Sequence, residues 1–111
     1  MDATRPAALQ VQTTLGDRGV AATIAQTLVD ERLAACVQVV GPIESTYRWK
    51  GAVEVATEWL LLVKTTEDVW PALAKRVADL HPYREPELIA VPVVAGSEGY
   101  LRWVREGVRA A

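Results

Sequence analysis

The chain has 111 residues, and among them are one cysteine, one histidine, one methionine and no phenylalanine. A single thiol, Cys36, excludes an internal disulfide and favours a reducing compartment. Cys36 and His81 are the only residues of their kinds, so a closed zinc site of four Cys and His ligands cannot form within one chain. There is no excess of positive charge: 12 Lys and Arg stand against 14 Asp and Glu, for a formal net charge of -2. That balance argues against nucleic acid, which wants a basic surface. No apolar run approaches the ~20 residues of a membrane helix. The N-terminal MDATRPAALQ lacks the apolar centre of a secretion signal. These absences point to a cytoplasmic protein with no membrane partner. The glycines of Gly41-Pro42 and of Gly96 to Gly99 lack the spacing and following lysine of a phosphate loop. Ser45, Thr46 and Ser97 have no histidine or lysine signature beside them that would mark an activated nucleophile. The chain is therefore expected to bind rather than catalyse, with no organic cofactor.

Half the residues are hydrophobic, and a chain of this length suits one domain that buries roughly 65% of its unfolded surface. Residues 1–7 carry no pattern and read as a frayed end; residues 8–111 read as a single domain. Ala8 to Thr14 alternates as a strand with one buried face. Asp17 can cap a helix over Arg18 to Leu33, whose Val20, Ile24 and Leu28 form an apolar stripe. Cys36 to Val40 and Ile43 to Lys50 are strand segments separated by Gly41-Pro42, where a bulge or bend is expected. Lys50-Gly51 is a turn needing positive φ. Ala52 to Thr65 returns as a strand, unbroken in its apolar character from Trp59 to Val63. Thr65-Thr66-Glu67-Asp68 reads as the capped start of a second helix, with Pro71 tolerated in its first turn and His81-Pro82 at its end. Pro86 to Ala95 reads as a strand apolar on both faces. Pro92 confines it to a sheet edge, which is an aggregation liability unless another chain covers it. Ser97 starts a terminal helix bearing Tyr100, Trp103, Val104 and Val108.

The order β-α-β-β-α-β with an extra C-terminal helix predicts an α+β, ferredoxin-like domain. Its sheet is antiparallel, with the two long helices on one face.

Two stretches carry unusual chemistry. In the first, Tyr47 and Trp49 alternate with Arg48 and Lys50, as on a stacking platform for single strands. The acidic balance and the absence of an RNA-recognition signature favour core or interface aromatics instead. The second is HPYREPEL, His81 to Leu88. Cys36 on its own reads as a small buried strand residue. His81 reads either as a helix-terminal residue or as a functional one. Glu85 with Glu87, and Glu54 with Glu58, are carboxylate pairs on one side of a strand. Such pairs suit acid–base chemistry or a hard or borderline cation, against a background in which most glutamates are solvated charge.

Four ordered segments then carry a resemblance: LAACVQVVGPIESTYRWKG (Leu33 to Gly51), EWLLLVKT (Glu58 to Thr65), HPYREPELIAVPV (His81 to Val93) and GYLRWV (Gly99 to Val104). In them the chain resembles the CutA divalent-cation tolerance family. The resemblance implies a homotrimer, similar in architecture to the nitrogen-regulatory PII proteins, with clefts between subunits and a link to copper and other divalent ions. It implies metal ligands at Cys36, Glu58, His81 and Glu87, and a ligand cleft near Trp49, Lys64, Tyr83, Arg84 and Glu85. It implies a trimer interface that includes Tyr47, Trp49, Val91, Val93 and Trp103. The implied ligand is a divalent cation, copper or zinc. The alternative is a small anionic metabolite held by Lys64 and Arg84 in a PII-like signalling trimer. One position departs from the family pattern: Arg84 stands where an acid usually follows the HPY triplet.

Overall fold

Alternation along the first strand sets the layers. Strand β1 (Ala8–Leu15) turns Val11, Thr13 and Leu15 to one face, where all three are fully buried. Across the ladder from them lie Val63, Leu61 and Trp59 of strand β3 (Ala52–Thr66). Helices α1 (Arg18–Asp30) and α2 (Trp70–Leu80) cover this face, packing Ala21, Ile24, Leu28, Leu73 and Val77 onto it. The remaining elements are β2 (Cys36–Trp49), β4 (Ile89–Pro92) and α3 (Glu98–Gly107). This computed structural model describes residues 6–109. Most of the expected frayed end and the final two alanines therefore lie outside the described residues.

The four strands form one antiparallel sheet in the order β2-β3-β1-β4. Each β-α-β unit thus has a strand of the other inserted between its own two. Both long helices share one face, as expected, whereas α3 crosses the opposite face beside Ala8, Gln10 and Lys64. Pro92 does sit on an edge strand. The Val93 amide donates to the Ala8 carbonyl (3.0 Å), and alternation along the strand therefore turns the donorless Pro92 nitrogen outward.

Three boundaries differ from the sequence reading, each for a local reason. Helix α1 stops at Asp30 because Arg32 adopts a left-handed conformation (φ 59°). The Leu33 amide then donates to the Leu28 carbonyl (2.9 Å) and the Arg32 amide to the Val29 carbonyl (3.1 Å). This is a Schellman cap with arginine where glycine is favoured. Arg32→Gly is expected to raise stability by about 1 kcal/mol, read as an upward shift in the urea midpoint. Helix α2 begins at Trp70, without a threonine cap. Thr65 and Thr66 stay in β3; the Thr65 hydroxyl donates to the Leu33 carbonyl (2.7 Å) and that of Thr66 to Asp68. Strand β4 is four residues long, pairing Ile89 through Pro92 with Gln12 through Leu9. The HPYREPEL segment ahead of it makes no ladder and is free to wrap the end of β1.

Thr13 is fully buried with its hydroxyl unpaired. A buried hydroxyl without a partner costs free energy, and valine keeps the shape without the polar atom. Thr13→Val is expected to raise stability by about 1 kcal/mol; an unchanged or lower denaturation midpoint would contradict the unpaired hydroxyl.

Beyond Trp59 the β2-β3 hairpin outruns the sheet. β1 pairs with β3 only from Trp59 to Thr66, while β2 and β3 stay paired out to Trp49 and Ala52. A two-stranded arm results, and the molecule measures 46 × 25 × 22 Å. Its tip, Lys50-Gly51, has φ of 50° and 80°, as a type I′ hairpin turn requires. Val53 and Val55 lie on one side of the arm, each 61% exposed. The expected bulge falls between Val40 and Ile43.

Candidate functional site

At the root of the arm, alternation along β3 puts Glu58 on the face opposite α1 and α2. It is nonetheless only 6% exposed. A carboxylate so covered needs a partner. Tyr83 provides one: its hydroxyl donates to Glu58 Oε2 (2.8 Å). Burial first, and this bond to a carboxylate second, push the Tyr83 hydroxyl up to about 12 from its ordinary 10.0. Gly16 lies beneath that hydroxyl; a Cβ there would come within 3.3 Å of it.

His81 fixes the segment that carries Tyr83. Its ring lies 4.9 Å from the Tyr83 ring, tilted by 60°. The Tyr83 amide donates to His81 Nδ1 (3.0 Å), so Nε2 carries the ring proton and donates it to the Thr14 carbonyl (2.9 Å). Both nitrogens of this buried imidazole are committed within the chain. That geometry runs against the expectation of His81 as a metal ligand, since ligation would require breaking one of the two bonds. Burial lowers the His81 pKa below 6.5, against the opposing influence of the Thr14 carbonyl and Glu58. The unfolded chain therefore takes up a proton before the folded one does. Stability from this source is complete above pH 6.5 and is lost as pH falls through that value and towards the lower folded pKa. Chemical denaturation at pH 7.5, 6.5 and 5.5 is expected to show this decline, and His81→Asn to lessen it.

In front of Glu58 and Tyr83 opens a cavity of about 640 Å³. Its walls are Thr14, Ser45, Thr46, Tyr47, Trp49, Glu58, Tyr83, Arg84, Glu85 and Glu87. Ser45, Tyr47 and Trp49 reach it from the same side of β2 by two-residue alternation. The HPYREPEL segment supplies the other wall. Of the residues that the resemblance implied for a cleft or metal site, the fold gathers Trp49, Glu58, Tyr83, Arg84, Glu85 and Glu87 here. Tyr47, implied for an interface, lines it as well.

Two others stand elsewhere. Cys36 pairs across the ladder with Lys64, six positions along β3 from Glu58, or about 20 Å. Lys64 Nζ donates to Gln38 (3.0 Å). Cys36 is half-buried rather than buried and lies beside Tyr100, whose pKa is raised by burial and by the neighbouring thiol. Within one chain, then, Cys36 and Lys64 do not approach the HPYREPEL segment. Among the described residues, no three His, Cys, Asp or Glu side chains stand close enough together to hold a metal ion. Val91 and Trp103 are exposed, Trp103 stacked on Tyr100 at 5.6 Å, and Val93 is half-buried. Thr14 was not singled out by its sequence, because its contribution to His81 is a backbone carbonyl, which any residue has.

The family model for the CutA1 divalent ion tolerance protein matches residues 9–107. The chain belongs to this family. The divalent-cation tolerance protein CutA of Thermus thermophilus is 52% identical over 93 residues, covering 84% of this chain and 90% of that protein. Human protein CutA is 46% identical over 87 residues, 78% of this chain; the chain spans about half, 49%, of the human protein's length. Among solved structures, CutA1 of Thermus thermophilus superposes with a TM-score of 0.90 at 48% identity, over 92% of this chain and 99% of that one. Rice CutA1 gives 0.92 at 36% identity, over 98% and 100%. The α+β architecture, a four-stranded antiparallel sheet with three helices, is thus the architecture of CutA1 structures. Among the described residues, no helix is long and apolar enough to cross a membrane.

Proposed function

We propose that this CutA1 family member acts in divalent metal ion tolerance, copper included, by binding divalent cations at a cleft completed between subunits of a cytoplasmic, ferredoxin-like homotrimer. The observation that carries the reading is the convergence of Glu58, Glu85 and Glu87 on one cavity in a chain of this family. Carboxylate and phenol oxygens suit hard and borderline cations such as Mg²⁺, Mn²⁺ and Zn²⁺. Among the described residues of one chain, three ligands do not meet, so the proposed site draws its remaining ligands from a second subunit. The exposed apolar residues of the arm and of β4, Val53, Val55, Ile89 and Val91, support assembly, because an uncovered apolar edge is a liability. The proposed role is binding and not catalysis.

Isothermal calorimetry with Cu²⁺ and Zn²⁺ tests the reading. Saturable binding weakened at least tenfold by Glu87→Gln is the expected result; no saturable heat with either ion would refute it. Light scattering at micromolar concentration is expected to give three times the 12.1 kDa chain mass. The PII-like alternative, a small anion, draws support from Arg84 in the cavity wall. Within one chain Lys64 belongs to the other end of the sheet, so an anion held by both would take Arg84 and Lys64 from different subunits.

A further inference from the structure

The cavity's shape and lining say more about its occupant than the carboxylates alone. At about 640 Å³ it has the volume of a small organic molecule's site rather than that of a bare ion. Its acids do not surround a point: Glu58 lies at the floor, only 6% exposed, and among the described residues no three acidic side chains come within reach of one metal. A cation with its charge at a single atom meets at most two of them. The same cavity is lined by three aromatic side chains, Tyr47, Trp49 and Tyr83. Ring faces attract cations, and do so most strongly when the cation is an alkylammonium that also buries carbon against the ring. In the single chain Trp49 is 54% exposed and Tyr47 44%, so both present ring surface at the cleft that a second subunit is proposed to complete. Glu58 accepts one bond from Tyr83 and keeps lone pairs for a further N–H donor.

We infer that this cleft takes an extended organic cation, an aliphatic polyamine carrying two or more ammonium groups. One ammonium bonds Glu58 at the floor, the methylene chain lies along the Trp49 and Tyr47 rings, and a second ammonium meets Glu85 and Glu87. The inference rests on the reading that this cavity is a cation site, and it changes the class of cation. Among the described residues, Arg84 is the one opposing charge in the wall, and it weakens rather than helps such a ligand.

Calorimetry with spermidine, at about 150 mM salt to screen diffuse attraction, tests the inference on the whole chain. Saturable binding is expected. Trp49→Ala is expected to weaken it about tenfold, as loss of a cation–π and packing contact does, and Arg84→Ala to tighten it several-fold. Trp49 is exposed on the arm of the single chain, so its replacement leaves the core intact, which circular dichroism verifies, and light scattering verifies that the variant keeps the parent's assembly. Spermidine heats that do not saturate, or that are indifferent to Trp49→Ala, overturn the inference; the second pattern is that of nonspecific attraction to an acidic protein. Parallel titrations with Zn²⁺ and Cu²⁺ separate the two readings. Metal binding without spermidine binding sinks the polyamine and leaves the divalent-ion site standing. Spermidine binding without metal binding does the reverse.

Discussion

Gly41→Ala is expected to lower stability by about 2 kcal/mol, the middle of the range for forcing an extra carbon into a packed site. A Cβ at Gly41 would run into Trp59 Cδ1 and lie 2.9 Å from both Cγ and Nε1. The Trp59 indole has little room to retreat, because it packs against the core beneath α1 and α2. At this point β2 has two residues, Gly41 and Pro42, where β3 has Trp59 alone. The bulge is therefore a place where bare backbone lies on an aromatic face. Any displacement of Trp59 also moves Glu58, its neighbour in sequence and the floor of the cavity. The variant should show a lowered urea midpoint, a changed tryptophan emission and weaker cation binding together. A midpoint within about 0.5 kcal/mol of the parent, the ordinary scatter of surface substitutions, would show that the strand can shift freely.

Tyr83→Phe is expected to cost about 2 kcal/mol at pH 7, the usual worth of a hydrogen bond to a charged group whose loss leaves a covered carboxylate unpaired. Most of the loss arises at Glu58 and not at Tyr83, which is itself 40% exposed. A double-mutant cycle makes this checkable. In a Glu58→Gln background the same replacement is expected to cost less than half as much, and equal costs in the two backgrounds would deny the coupling. The sign of the alkaline response follows from the same bond. The folded Tyr83 hydroxyl titrates near 12 and the unfolded one near 10.0. Its contribution is complete below pH 10 and declines as pH rises from 10 towards 12. Near-ultraviolet titration should show a late phenolate that is missing in Tyr83→Phe.

Much of this architecture was legible in the residues, because period-two alternation and turn chemistry act locally. Val11 and Thr13 announced a buried face, Lys50-Gly51 the tip of the arm, and Pro92 an edge, whereas Leu15, which reads as part of a turn, extends that face. Gly41-Pro42 announced a bulge. The errors fell where a longer-range partner overrode a local signal. Thr65 and Thr66 look like helix caps, but their place in the β1 ladder and the Leu33 carbonyl claim them. Arg32 gives no hint of a left-handed conformation, since the Schellman bonds that hold it come from the helix before it. In the cavity, Trp49 and the HPYREPEL acids could be brought together through the family resemblance. Spacing along the chain could not reveal that Cys36 would lie at the far end of β3 from Glu58, because that follows from the register of the hairpin. Nor could it reveal the two bonds of His81. One of them goes to a carbonyl 67 residues away, and with the bond from the Tyr83 amide it fixes the ring behind Tyr83.

The strand order β2-β3-β1-β4 has a consequence for how the chain folds. Neither half of the sequence contains two adjacent strands of its own, and the β2-β3 hairpin joins one half to the other. A fragment holding β1, α1 and β2 has a strand-wide gap, about 10 Å across, where β3 belongs. One holding β3, α2 and β4 has the same gap where β1 belongs. The halves are interlocked like the fingers of two hands, so partial unfolding of either exposes the other's core. Loss of structure should then be all-or-none, and folding should wait on contacts between distant parts of the chain rather than on either helix. Two fragments separated at the arm's tip, each without a stable fold, should regain the sheet only when mixed.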